Sequence, residues 1–181
     1  MVRDIRKYLS NDLAHKRVHA FITSRLDYCN SLLAGCPSQL YARLQQIQNS
    51  AARNVSNTKK FDNMIVIIKL HWLPIPLPFT HKLLLLVFKA QNDLGPGYLT
   101  ELLTHYSPSR QLRSSSKTLL QPKKSRLVNY GDRSFSVLAP SLWNDLPLAL
   151  CCSISLTSFK SRLITELFKS FLANPSLFIK K

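Results

Sequence analysis

Apolar residues recur at helical spacing along most of this chain, and a proline or glycine ends nearly every run. This combination restricts the fold most, because a 3.6-residue stripe needs a surface to cover it and each break needs a turn. From Asp12 to Leu33 the apolar positions are Leu13, Val18, Phe21, Ile22, Leu26, Leu32 and Leu33, which predicts one helix, or two with a bend near Asp27. Gly35 suits the position just past that helix, and Pro37 suits the first turn of the next. The second helix carries Leu40, Leu44, Ile47, Ala51 and Val55 on one face. Arg43, Gln45, Gln48 and Arg53 occupy the other.

The polar NTKK segment at 57–60 reads as a loop. Residues 61–70 are apolar and β-branched, so periodicity alone leaves helix and strand open, and the helical neighbours favour helix. Pro74, Pro76 and Pro78 then bar regular structure for a few residues. A helix is expected from Phe79 to Asp93, broken by Gly95-Pro96-Gly97, and a short one from Tyr98 to Leu103. Residues 104–130 change character, being rich in Ser, Lys and Arg. Short strands are expected at Thr118–Gln121 and near Arg133–Val137. Pro140 is expected to open a short helix that holds Trp143 and that Pro147 closes. The last helix is expected from about Ser155, a suitable N-cap, to Leu172. Its broad apolar face, with Leu156, Phe159, Leu163, Leu167 and with Ile164, Phe168 and Phe171, must dock on something. The whole reads as mainly α: a helical bundle over 1–105, then a basic region over 106–181 with a small β-hairpin and a C-terminal docking helix.

Charge narrows the class of partner. Twenty-five Lys and Arg face nine Asp and Glu, a net +16, while a hydrophobic content of 45% is that of a globular chain. Such an excess points to a polyanion, with nucleic acid first and an anionic membrane surface second. The longest apolar run, Leu83 to Phe88, is far short of the about 18 residues a membrane span needs, and the first residues lack the apolar core of a signal peptide. Cys29, Cys36, Cys151 and Cys152 form no CxxC pair and read as reduced thiols, so an intracellular setting, cytoplasmic or nuclear, is expected.

Residues for catalysis are scarce. Two-metal chemistry needs paired carboxylates, and the acidic residues are scattered, with Asp132 and Asp145 far apart. His15, His19, Cys29 and Cys36 offer zinc-binding atoms, but the cysteine spacing suits a structural site poorly. Cys29 reads better as a small core side chain and the histidines as half-exposed. Cys151 and Cys152 have no histidine nearby in sequence to activate a thiolate. No glycine-rich phosphate loop occurs. No catalytic residue, metal, cofactor or small-molecule substrate is therefore expected.

The basic run is the better signal. Arg110, Arg113, Lys117, Lys123, Lys124 and Arg126 follow one another with no acidic residue between Glu101 and Asp132. Roughly five or six phosphate contacts would make binding fall steeply with salt. Tyr106 and Tyr130 flank the run and are suited to stack on unpaired bases. The alternative is a solvated loop with both tyrosines packed. Trp72 and Trp143, each at an element end, read as core anchors.

Seven short motifs stand in a fixed order: SRLDYCNSLL (24–33), QIQNSAAR (46–53), LHWLP (70–74), FKAQNDLGPGYLTELL (88–103), SRQLRSSS (109–116), YGDRSFSVLAPSLWNDLP (130–147) and SFKSRLITELF (158–168). The order resembles the C-terminal part of the polyprotein of LINE-type, jockey-like non-LTR retrotransposons, downstream of the reverse-transcriptase active site, and covers about Asp4 to Phe171. The resemblance implies a thumb-like helical segment, with Tyr28 and its helix in the part that grips a template–primer duplex. It places the catalytic palm and fingers upstream. It further implies a truncated, catalytically inert piece of an RNA-directed DNA polymerase whose partners are RNA or DNA and the missing palm, with Arg43 and Arg53 joining the basic run in phosphate contact. IPLPFTHKLLLL after LHWLP departs from the family pattern by two extra prolines. The other expectation, from a different class, is a small helical module that docks to a protein through an exposed apolar face of its C-terminal helix.

Overall fold

The computed structural model describes residues 8–58, 63–107, 119–127 and 130–173. The regular structure in these residues is helical, with one isolated antiparallel bridge between His105 and Leu120. The chain divides into two compact units. The first holds the described residues within Met1–Asn30 and Cys36–Pro78, with Ala173. The second holds Ser31–Gly35 and the described residues within Phe79–Leu172.

In the first unit, Ser10 caps helix α1 (Asn11–Val18) by accepting a bond from the Leu13 amide. Asp12 and Lys16, one turn apart, form an ion pair at 2.7 Å. A π-helical turn, His19–Thr23, continues α1 into α2 (Ser24–Asp27). The helical path stops at Tyr28, which is extended, so the expected bend near Asp27 is a true end. Cys29 then takes a positive φ of 51° and its thiol is exposed, not a core group as its size suggested. Helix α3 (Ser38–Ser56) follows Pro37 and ends at Asn57, whose left-handed conformation asparagine tolerates. Helix α4 (Asn63–Lys69) resolves the apolar stretch before LHWLP as helix. The core has two small clusters: Val18 with Ala51 and Val55, and Ala52 with Val66 and Ile67. Leu70 and Trp72 pack against both.

The stripe expected on α3 is only half correct. Ala51 and Val55 are buried, but Ile47 is 46% exposed, while Gln45 and Gln48 lie inside at 6% and 8%. The reason is the proline-rich segment that α3 supports. Between residues 74 and 78 only Ile75 and Leu77 have an N–H to donate. The Leu77 N–H reaches the Pro74 carbonyl at 2.9 Å, and the buried Ile75 N–H reaches Gln45 Oε1 at 2.8 Å. Gln45 Nε2 donates to Gln48 Oε1 and Asn49 Oδ1, and Gln48 Nε2 donates to the Leu73 carbonyl at 2.8 Å. A segment that cannot bond itself into helix or sheet takes its partners from amide side chains, since buried backbone groups must be paired.

Helix α5 (Leu77–Gln91), which belongs to the second unit from Phe79 on, buries Leu83, Leu84, Val87 and Phe88. Helix α6 (Gly97–Leu102) joins it through Thr100 Oγ1, which donates to the Ala90 carbonyl. The strand expected at Arg133–Val137 is absent. Ser134 is extended and its carbonyl accepts the Val137 and Leu138 amides, which starts helix α7 (Phe135–Asn144). The β-branched residue there is overridden because Phe135, Ala139 and Trp143 fall at i, i+4 and i+8, and Ala139 and Trp143 reach the core. Pro140 therefore lies inside this helix and does not open it. Of Thr118–Gln121, Thr118 lies outside the described residues, and the rest is extended but pairs with residues near His105, so no hairpin forms with the 133–137 stretch.

Helix α8 (Leu148–Cys151) follows Pro147, and Ser155 caps helix α9 (Leu156–Ala173), accepting the Ser158 amide at 3.2 Å. Phe159, Leu163, Leu167 and Phe171 form the buried stripe of α9. Phe159 stacks on Phe88 at 4.4 Å and meets Trp143 at 5.8 Å. The apolar face expected to be exposed for a protein partner is covered by the chain's own second unit. Both tryptophans are core groups, Trp143 fully and Trp72 partly.

Candidate nucleic-acid interface

The segment 119–127, irregular apart from the bridge at Leu120 and a bend at Arg126, carries the described part of the basic run, and its backbone is held at several points. Leu120 is 1% exposed and anchors it. The Leu120 N–H donates to Asn144 Oδ1 at 3.0 Å, and Asn144 Nδ2 donates back to the Leu120 carbonyl at 2.8 Å. On either side, the Tyr106 amide donates to Leu119 and the Gln121 amide donates to Thr104. Further along, the Lys123 N–H reaches the Ser136 carbonyl at 3.4 Å. That carbonyl is free of its intrahelical partner because Pro140, four residues on, has no N–H. The segment ends at Leu127, whose carbonyl accepts the Gly131 and Asp132 amides. A Cβ on Gly131 would lie 2.6 Å from the Leu127 oxygen, so this turn requires glycine.

From this fixed backbone Lys123, Lys124 and Arg126 project into solvent, and none pairs with an acidic group among the described residues. Asp132 is the one acidic side chain in the described part of 119–133, and it is exposed. Tyr106 is 45% exposed and Tyr130 79%, so the reading with both tyrosines packed does not hold. Arg133 lies beside Tyr130, its guanidinium carbon 6.0 Å from the ring centroid. The same guanidinium is fixed from behind, with Nη2 donating to the Leu32 carbonyl at 2.9 Å and Nε to Ala34 at 3.5 Å. Gly35, at φ 72°, lets the chain turn there, and a Cβ on it would meet Arg133 Cγ at 3.0 Å.

Of the expected contact residues, Lys123, Lys124 and Arg126 share this segment. Arg110, Arg113 and Lys117 lie outside the described residues. Arg43 and Arg53 belong to the first unit on α3, Arg43 exposed and Arg53 half-buried with Nη2 on Ser50 Oγ. Sequence reasoning missed Asn144, which holds the segment rather than carries its charge, and Arg133, which stands beside Tyr130. The signal for Asn144 was its place beside a buried tryptophan, where a polar side chain needs a partner. Arg133 has no comparable local signal, because its partners are about a hundred residues away.

His15 and His19 are exposed, and no group of three or more His, Cys, Asp or Glu among the described residues could hold a metal ion. Among those residues, no helix is long and apolar enough to cross a membrane. The second unit also contains His81, whose Nε2 is buried without a hydrogen-bond partner. Burial, with Lys160 and Lys82 nearby, lowers its pKa from 6.5 to about 4, so the ring is neutral near pH 7. Compared with family models, with curated proteins and with solved structures, the chain matches none.

Proposed function

We propose that this chain is the thumb and following segment of a non-LTR retrotransposon RNA-directed DNA polymerase, without its palm and catalytically inert. Its residual activity is non-specific binding of RNA or DNA through phosphate contacts. The ancestry rests on the seven ordered motifs. The activity rests on one observation, the exposed Lys123, Lys124 and Arg126 on a backbone held in place and not neutralised by described acidic groups. A fixed row of cations releases counterions from a polyanion without first losing much backbone freedom, which favours binding whatever the base sequence.

The test is binding of the purified chain to a labelled RNA–DNA duplex at about 50 and 200 mM salt. Three phosphate contacts alone predict a loss of roughly 40-fold over that range. Replacing Lys123, Lys124 and Arg126 together by alanine is expected to lower the salt slope by about 2 to 3. No binding at the lower salt refutes the activity.

A further inference from the structure

We propose that the second unit carries a platform for unpaired nucleic acid, in which Tyr130 stacks on a base and Lys123, Lys124 and Arg126 hold neighbouring phosphates. The inference rests on the nucleic-acid reading above and specifies its substrate as a single strand.

Tyr130 is 79% exposed, and Leu127, across the same turn, is 68% exposed. Apolar groups left in water contribute little to folding, so their position matters for what else they can meet. The ring is also held. It belongs to a turn that only Gly131 permits, and the Arg133 guanidinium stands 6.0 Å from its centroid, fixed by the Leu32 and Ala34 carbonyls. A cation near one face of the ring leaves the other face free. An aromatic ring already fixed in its binding position loses less freedom on stacking than one on a mobile chain.

Exposed cations lie close to the ring in sequence, within seven residues of Tyr130. Lys124 and Arg126 present two exposed charges on a segment whose backbone is tied at Leu120, Gln121 and Lys123 and which bends at Arg126. Lys123 adds a third exposed charge. The carboxylate of Asp132 opposes one phosphate near the turn, and the three cations outweigh it. A duplex offers phosphates but keeps its bases stacked inside. Only an unpaired strand satisfies both the ring and the row of charges. Every base has a π-face, so the platform is tolerant of sequence.

The experiment measures fluorescence anisotropy of the full chain with labelled oligothymidine and oligouridine strands of about twelve nucleotides, within the span such sites cover, and with a duplex of equal length. Both strands are expected to bind more tightly than the duplex. Tyr130→Ala is expected to weaken single-strand binding by about 5- to 150-fold and leave duplex binding and the salt slope unchanged. Tyr130→Phe retains binding. Circular dichroism checks that each variant is folded, which the exposure of Tyr130 favours. If Tyr130→Ala has no effect, or weakens duplex and single strand alike, the platform is refuted while the general nucleic-acid reading stands. If neither form binds at low salt, both fall. A preference for the uridine over the thymidine strand, with Tyr130 still required, identifies RNA as the natural source of the strand and supports the proposal.

Discussion

Replacing Gln45 by leucine removes the acceptor for the Ile75 N–H, in a place where Ile75 itself is 2% exposed and water cannot substitute. A buried donor left without a partner costs about 1–3 kcal/mol. The change also takes away the donor to Gln48 Oε1, which leaves a second amide, 8% exposed, partly unsatisfied. Leucine is close to glutamine in size and recovers some apolar burial, so a net loss of about 2–3 kcal/mol is expected. Against a total stability of about 5–15 kcal/mol, that is a large fraction. The control is Gln46→Leu, on the exposed side of the same helix, which is expected to change stability by no more than about 0.5 kcal/mol. Urea unfolding followed by tryptophan fluorescence reads both, with a lowered midpoint and an unchanged slope marking a true stability effect. Gln48→Leu deprives the Leu73 carbonyl of its donor, and the double variant should cost less than the sum of the two single changes, because the side chains share one network. Equal stability of the Gln45→Leu and Gln46→Leu chains would refute the claim that amide side chains hold the proline segment.

His81 gives a pH dependence of definite sign. The unfolded chain takes up a proton on this ring below about 6.5, while the folded chain resists until about 4, so the stability is full above pH 6.5 and falls as pH drops toward 4. Because the ring is partly exposed, the loss is discounted to about 1–2 kcal/mol. His81→Gln should flatten that part of the profile, and an unchanged difference between urea midpoints at the two ends of this range would count against it. Asn144→Ala leaves the N–H and C=O of Leu120 without their side-chain partner and is expected to cost about 2–4 kcal/mol. The Leu120 amide should then exchange with solvent much faster than in the parent chain, and retained protection would show that Asn144 does not hold it.

What the sequence makes legible follows from the range of the interactions. Helix α9 and its Ser155 cap were readable because period and cap are local, as was the break before Pro37. The α3 stripe was readable only where apolar residues fill it. Gln45 and Gln48 looked like a solvent face, and their burial depends on prolines 26 and more residues away that have no N–H of their own. The start of α7 was misread for a similar reason. Alternating Ser, Phe and Val around residue 135 suits a strand locally, and the choice of helix comes from the core that Trp143 fills. In the candidate interface, the charges of Lys123, Lys124 and Arg126 were evident from composition. Their support was not, because Asn144 acts across 24 positions, and Arg133, beside Tyr130, is held by carbonyls about 100 positions away.

The brief inclusion of Ser31–Gly35 in the second unit has a consequence for how the chain acquires its structure. The bonds from Arg133 to Leu32 and Ala34 close loops of 101 and 99 residues. During synthesis, these carbonyls leave the ribosome roughly a hundred residues before the guanidinium that will donate to them. The second unit therefore cannot be completed before Arg133 is made, and closing such long loops adds an entropic barrier that local helix formation does not face. A C-terminal piece beginning at Phe79 would lack these partners of Arg133. It would then lose the support behind Tyr130 along with the early part of the chain.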